Sequence, residues 1–163
     1  MMFETTYRDH YAAIYRFCHR LTGCAEEARD MTQETFMRFY YAVQRHDKID
    51  HPTAWLYRVA GNLCISGLRQ GRRRAEILRH QPSEAAGGSD PEQELAQRET
   101  MLRIRDAVQR LSVRDQVLLN LYMDRRPYAE MAEVVGVRRG SVGTLLSRAL
   151  AQLRSPEITG VKM

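Results

Sequence analysis

The segment 128–147 constrains the fold more than any other part of this chain. Met131, Ala132 and Val135 fall on one face of a short first helix. Gly136 follows, where a tight turn needs a residue that tolerates positive φ. Val137 comes after the turn, and Val142 and Leu145 recur on the inner face of a second helix. A plain helical hairpin would satisfy part of this pattern. The Gly-centred turn together with the small residue at Ala132 favours a helix-turn-helix, the unit that presents one helix to the major groove of DNA.

At 163 residues the chain can form one ordinary domain or two small ones. Lys and Arg number 25 against 20 acidic residues, a net charge of +5 that favours a polyanionic partner without proving one. Three scattered cysteines, Cys18, Cys24 and Cys64, suggest no disulfide framework and fit a reducing cytoplasm. Cys18, His19 and Cys24 fall short of a tetrahedral metal set, so no metal is expected. No run approaches the roughly 20 apolar residues of a membrane span, and the N-terminus lacks a signal-peptide pattern. The expectation is a soluble, cytoplasmic protein.

No alternating apolar run marks a strand, so the fold expected is all-α. Residues 81–92 carry two Pro, two Gly and two Ser with no large apolar residue, which reads as a linker between two small helical domains. The boundaries expected are 1–80, a flexible acidic linker over 81–98, and 99–163. Residues 1–80 hold 13 basic and 9 acidic groups, net +4; residues 81–98 hold 1 and 4, net −3; residues 99–163 hold 11 and 7, net +4. Two basic lobes on an acidic tether suggest two contact points on one nucleic acid.

Within the first lobe, Tyr7, Tyr11, Ile14, Tyr15, Cys18 and Leu21 recur at helical spacing and predict a helix closing at Gly23. Ala28, Met31, Thr32, Thr35, Phe36, Phe39 and Val43 make the inner face of a second helix, and Glu26 and Glu27 suit the positive end of its dipole. Pro52 fits the first turn of a third helix, whose apolar positions include Trp55, Leu56, Val59 and Leu63. From Arg58 to Arg79 that segment carries six Arg against one acid, Glu76. In the second lobe Asp90 suits an N-cap for a helix from about Pro91 to Arg110. Ser112 with Asp115 resembles a capping box, and Val117, Leu118, Leu121 and Tyr122 are expected to face inward.

These segments, taken in order, resemble bacterial RNA polymerase sigma factors. Residues 25–40 look like the polymerase-binding helix, 52–65 like the helix that follows it, 111–121 like the start of the second domain, and 128–147 like its helix-turn-helix. The short length points to the extracytoplasmic-function class. The resemblance implies a role for each part. Asp30, Gln33, Glu34, Phe36 and Arg38 would grip core RNA polymerase. The loop 44–51 and the helix from Pro52, with Arg58, Asn62, Arg69 and Arg72, would recognise and melt the minus-ten element of promoter DNA. Arg138, Arg139, Ser141, Thr144 and Arg148 would contact the minus-thirty-five element. The acidic linker would thread into polymerase channels. An anti-sigma factor is the further partner implied, and no cofactor is. Trp55 is expected to be a core anchor rather than a stacking platform.

The chain departs from the family pattern at three places. Gly143 and Leu145 stand where Lys and Arg are common, and Gly61 stands where a basic residue is usual. The alternative is a helix-turn-helix DNA-binding regulator that does not bind core polymerase, which would leave the helix over 25–40 and the Arg-rich third helix without a role. Catalysis is not expected: the chain shows no Gly-rich phosphate loop and no nucleophile motif, and His10, His19, His46, His51 and His80 have no evident partners.

Overall fold

A computed structural model describes residues 1–77 and 91–154. They form seven helices: α1 (Met2–Thr22), α2 (Ala25–Gln44), α3 (Pro52–Ile77), α4 (Pro91–Arg110), α5 (Val113–Met123), α6 (Tyr128–Val135) and α7 (Arg139–Leu153). No strand occurs among the described residues. The core of the linker, 78–90, lies outside them. Helix α4 begins at Pro91, so residues 91–98, which the sequence reading placed in the linker, are helical, and the Asp90 cap falls outside the described residues.

The first lobe is α1, α2 and α3. Glycine closes α1 as the sequence predicts: the Gly23 N–H donates to the His19 carbonyl at 2.9 Å with the residue left-handed. Ile14, Phe17, Cys18 and Leu21 bury against Ala28, Phe36 and Phe39 of α2 and Leu56, Ala60 and Cys64 of α3. Two threonines are enclosed in this core without penalty. Thr32 and Thr35 donate to the carbonyls of Ala28 and Met31, four residues back, at 2.6 and 2.7 Å. Phe17 is a core residue that the α1 pattern omits, whereas Tyr7, expected inside, lies at the rim with its ring on Phe36. An aromatic with a hydroxyl settles where one end stays wet. Trp55 is half-buried, 5.5 Å from Phe39, and sits as a core anchor.

In the second lobe α5 is the central helix. Ser112 caps it by accepting from the Asp115 N–H at 3.1 Å. Burial runs almost continuously from Val113 to Leu121 rather than along one stripe, because α5 packs on α1, α3, α6 and α7 at once. Tyr122, expected to face inward, is 49% exposed. It follows the last buried turn, where α5 leaves the core.

The helix-turn-helix forms as its spacing predicts. Gly136 adopts φ 70° and donates its N–H to the Ala132 carbonyl, and the Val137 N–H donates to the same oxygen at 3.0 Å. Met131, Ala132 and Val134 of α6 pack with Val142, Leu145, Leu146 and Ala149 of α7.

The two lobes do not stand apart. Helix α3 packs on α1 and α2 along one side and on α5 and α6 along the other, and one apolar cluster runs through both lobes. This explains why the buried face of α3 is Leu56, Tyr57, Ala60, Gly61 and Cys64 rather than the stripe through Val59 and Leu63.

Candidate nucleic-acid and polymerase interfaces

The apolar face of α7 is fully engaged with the second lobe, which fixes what its other face presents. Arg138, the N-cap residue, and Arg139, Ser141, Thr144 and Arg148 are all exposed. Ser141, Thr144 and Arg148 follow one another at spacings of three and four, one stripe along the helix, and the two arginines stand at its N-terminal end. A stripe of this chemistry on a rigid helix can reach base edges and phosphates together. Leu145, one of the family departures, is buried and holds α7 on its lobe. Gly143 faces Tyr128, with ordinary room for a methyl group: a Cβ there would lie 3.8 Å from the ring.

Five arginines, Arg58, Arg69, Arg72, Arg73 and Arg74, are the main charged groups along α3. Arg58, Asn62, Arg69 and Arg72 are exposed, but two of them are engaged by the second lobe. Arg58 Nη1 lies 3.8 Å from Glu133 Oε2. Arg72 donates through Nη2 to the carbonyls of Gln109 and Leu111, at 3.1 and 2.7 Å, at the C-terminal end of α4. Beyond them, Arg69, Arg72 and Arg73 share a cleft with Arg114 of α5 and its cap residue Ser112. This is a strongly positive surface suited to phosphates.

On α2 the residues expected to grip a protein partner divide. Asp30, Gln33 and Arg38 are exposed and Glu34 is half-buried. Arg38 Nε donates to Glu34 Oε1 at 2.7 Å, an i, i+4 pair. Phe36 does not join them. It is 2% exposed, with its ring centroid 4.9 Å from that of Tyr7 and 5.8 Å from that of Tyr11, so its place in the inner-face pattern outweighs its expected role as a surface anchor. The exposed apolar groups beside Gln33 are instead Met37, Tyr40 and Tyr41. With Phe3, Tyr7, Tyr11 and Arg29 they line a groove of about 400 Å³ between α1 and α2. The signal for Met37 and Tyr40 was available: they continue the exposed row from Gln33 at spacings of four and three.

The lobe junction holds a partly enclosed polar cluster. Asp124, the C-cap of α5, accepts from the Tyr57 hydroxyl at 2.9 Å and pairs with the Arg20 guanidinium. Arg20 Nε also donates to Asn120 Oδ1 at 2.8 Å. The Arg126 guanidinium lies 5.0 Å from the centre of the Tyr57 ring and pairs with Glu130. Burial, reinforced by the Asp124 charge and hydrogen bond, pushes the Tyr57 phenol well above its ordinary range. Cys18 and Cys64 are buried and Cys24 is exposed. The hydrogen bond between Cys64 and Cys18, together with burial, raises the Cys64 thiol far above its usual value, so it stays protonated and inert. No group of three His, Cys, Asp or Glu suited to a metal ion occurs among the described residues, and no helix there is long and apolar enough to cross a membrane.

Known proteins share this arrangement. Sigma-70 region 2 matches residues 6–74, and Sigma-70, region 4 matches residues 101–153. The ECF RNA polymerase sigma factor SigL of Mycobacterium tuberculosis is 30% identical over 155 residues, covering 94% of this chain and 87% of the relative. The ECF RNA polymerase sigma factor SigW of Bacillus subtilis is 28% identical over 151 residues, covering 86% and 81%. Among solved structures, the sigma factor RpoE of Bartonella quintana, in complex with the anti-sigma factor NepR, superposes with a TM-score of 0.70. That likeness covers 99% of this chain and 98% of the other at 19% identity, a likeness of fold. Region 2 falls on α1–α3 and region 4 on α4–α7, so both lobes and the helix-turn-helix lie where the family sets them. The chain belongs to the extracytoplasmic-function class of the sigma-70 family, the factors that bind core RNA polymerase and direct promoter-specific transcription initiation.

Proposed function

We propose a division of labour within this sigma factor. The exposed row of α2, Asp30, Gln33, Glu34 and Arg38 with Met37 and Tyr40 beside it, docks on core polymerase. Its mixed charge and apolar anchors suit a protein interface, where a few well-packed groups carry most of the affinity. Helix α3 meets the minus-ten element through Arg58, Asn62, Arg69 and Arg72 and holds the melted strand, its arginines taking phosphates and Asn62 a base edge. Helix α7 meets the minus-thirty-five element through Arg138, Arg139, Ser141, Thr144 and Arg148. The linker over 81–98, net −3, enters a positively charged channel of the polymerase.

The observation that carries this reading is the α7 stripe. Its polar residues are exposed while Val142, Leu145, Leu146 and Ala149 anchor the opposite face. Gly143 and Leu145 supply no polar contact, so sequence reading rests on Arg138, Arg139 and Arg148, and promoter preference differs from that of relatives carrying Lys and Arg there. The factor acts in the cytoplasm, has no catalytic residue of its own, and is restrained by an anti-sigma factor; the fold shared with a sigma factor held by such a partner supports the last point.

Run-off transcription with core polymerase on a randomised promoter library tests the assignment. Enriched minus-thirty-five sequences should lose their enrichment when Arg138 and Arg139 are replaced by Ala, while minus-ten enrichment persists. Equal loss at both elements would refute the division of labour between α3 and α7.

A further inference from the structure

Each helix of the first lobe contributes one sulfur to a common point in its core. Cys18 stands on α1, Met31 on α2 and Cys64 on α3. Cys64 Sγ lies 3.5 Å from Met31 Sδ, and the Cys64 thiol is hydrogen-bonded to Cys18. Both cysteines are fully buried, and Met31 is half-buried at the rim. Linear spacing hides the group, because its members come from three helices. Its third donor is a thioether, so cysteines and histidines alone do not reveal it.

Apolar packing places sulfur in a core without requiring that the sulfurs touch one another. An S–H group is a weak donor, so these contacts contribute little cohesion by themselves. Thr32 lies beside Cys18 but commits its hydroxyl proton to the Ala28 carbonyl at 2.6 Å. The hydrogen bond with Cys64 holds the Cys18 thiol below its ordinary value against the opposing effect of burial, with Thr32 and the Arg20 charge acting in the same direction. That favours the thiolate, the form in which cysteine binds a metal.

We propose that Cys18, Met31 and Cys64 form a three-sulfur binding site for Cu(I). Thiolate and thioether donors select this soft ion, and three of them fall short of the four that a structural zinc site takes. Sulfur ligands about 2.3 Å from a metal ion and arranged as a triangle lie about 4 Å apart, so the 3.5 Å contact of Cys64 with Met31 needs to widen only slightly. On binding, each thiol releases its proton to solvent and its sulfur donates an electron pair to the metal, while copper keeps its oxidation state. Gly67, one turn beyond Cys64, provides the way in. A Cβ there would collide with the Met31 Cε, so the glycine makes the room in which that methyl group lies. The methionine side chain is unbranched and adaptable. Swinging it aside admits a bare ion to the thiols but not a bulky thiol reagent.

The test uses the full chain, with Cu(I) supplied anaerobically as its bicinchoninate complex. The chain should withdraw one equivalent of copper from the chelator, and X-ray absorption of the loaded protein should show three sulfur neighbours at about 2.3 Å. Thermal unfolding should move to higher temperature with copper, because the assembled site binds the ion more tightly than the unfolded chain does. Cys18→Ala and Cys64→Ala should each weaken binding by about 100-fold or more, the upper end of what losing a ligand's outer hydrogen-bond partner costs. Met31→Leu conserves side-chain volume and so preserves the fold; it should weaken binding about tenfold and leave two sulfur neighbours. Cys24→Ser removes the exposed thiol and should change nothing. Failure of the chain to compete with the chelator would overturn the proposal. So would copper binding that Cys24→Ser abolishes, or that Met31→Leu leaves unchanged with three sulfurs retained. One equivalent of Zn(II) held in preference to Cu(I) would overturn it as well.

Discussion

Two glycines in helices show how the same residue answers to different neighbours. Gly61 faces Val134 and cannot carry a Cβ without displacing it, while Gly143 faces only the Tyr128 ring at an ordinary contact distance. Replacing Gly143 by Ala therefore removes a helix-weakening residue at no steric cost. It should stabilise the fold by about 0.5–1 kcal/mol in urea unfolding; a destabilised variant would mean that α7 bends there. The cysteines divide in the same way. Cys24 should react with a thiol reagent at the rate of a free surface thiol, and Cys18 and Cys64 only on unfolding, so a native titration should stop at one of three. Tyr57 sets a pH dependence. Its phenol titrates higher in the packed state than the ordinary value near 10, so its contribution is full below about pH 10 and is lost as pH rises above it. The difference in urea midpoint between the parent and Tyr57→Phe should be constant from pH 7 to 9 and shrink above 10. A difference that grows there would contradict the Asp124 contact. None of these distinctions is visible in the sequence, because each depends on what a distant helix brings opposite the residue.

At the scale of single helices the sequence was more informative. The ends of α1, α5 and α6 follow from Gly23, Ser112 and Gly136, since capping and left-handed turns are local chemistry. Helix α2 is the instructive case. Its periodicity places Phe36 inside, while its aromatic character invites a surface role, and the structure resolves the conflict in favour of periodicity. Two substitutions separate these readings. Phe36→Ala should cost about 3–5 kcal/mol of stability, whereas Asp30→Ala with Met37→Ala should leave unfolding unchanged and weaken binding to core polymerase roughly tenfold or more. If the exposed pair leaves binding unaltered, the polymerase contact lies on another face. Helix α7 makes the corresponding prediction on DNA. Replacing Arg138 and Arg139 should lower the salt slope of promoter binding by about one per lost phosphate contact.

The least legible level was the whole molecule. Composition and linker chemistry separate two lobes, yet little in either lobe's pattern announces that they pack together. The contacts responsible, Gly61 with Val134 and Tyr57 with Asp124, are each more than sixty positions apart and use residues that would be unremarked on any helix. One hint was present: α5 is apolar on more sides than a four-helix lobe of its own would need, because it serves both lobes. The molecule is a sigma factor, and the proposal is that its α2, α3 and α7 divide the work of polymerase binding, melting and upstream recognition. Run-off transcription by purified core polymerase, with binding measured in parallel, tests it most directly. The account predicts that the chain binds core and yields discrete promoter-specific transcripts that core alone does not. Duplex DNA binding without any association with core would contradict it and leave an ordinary helix-turn-helix regulator.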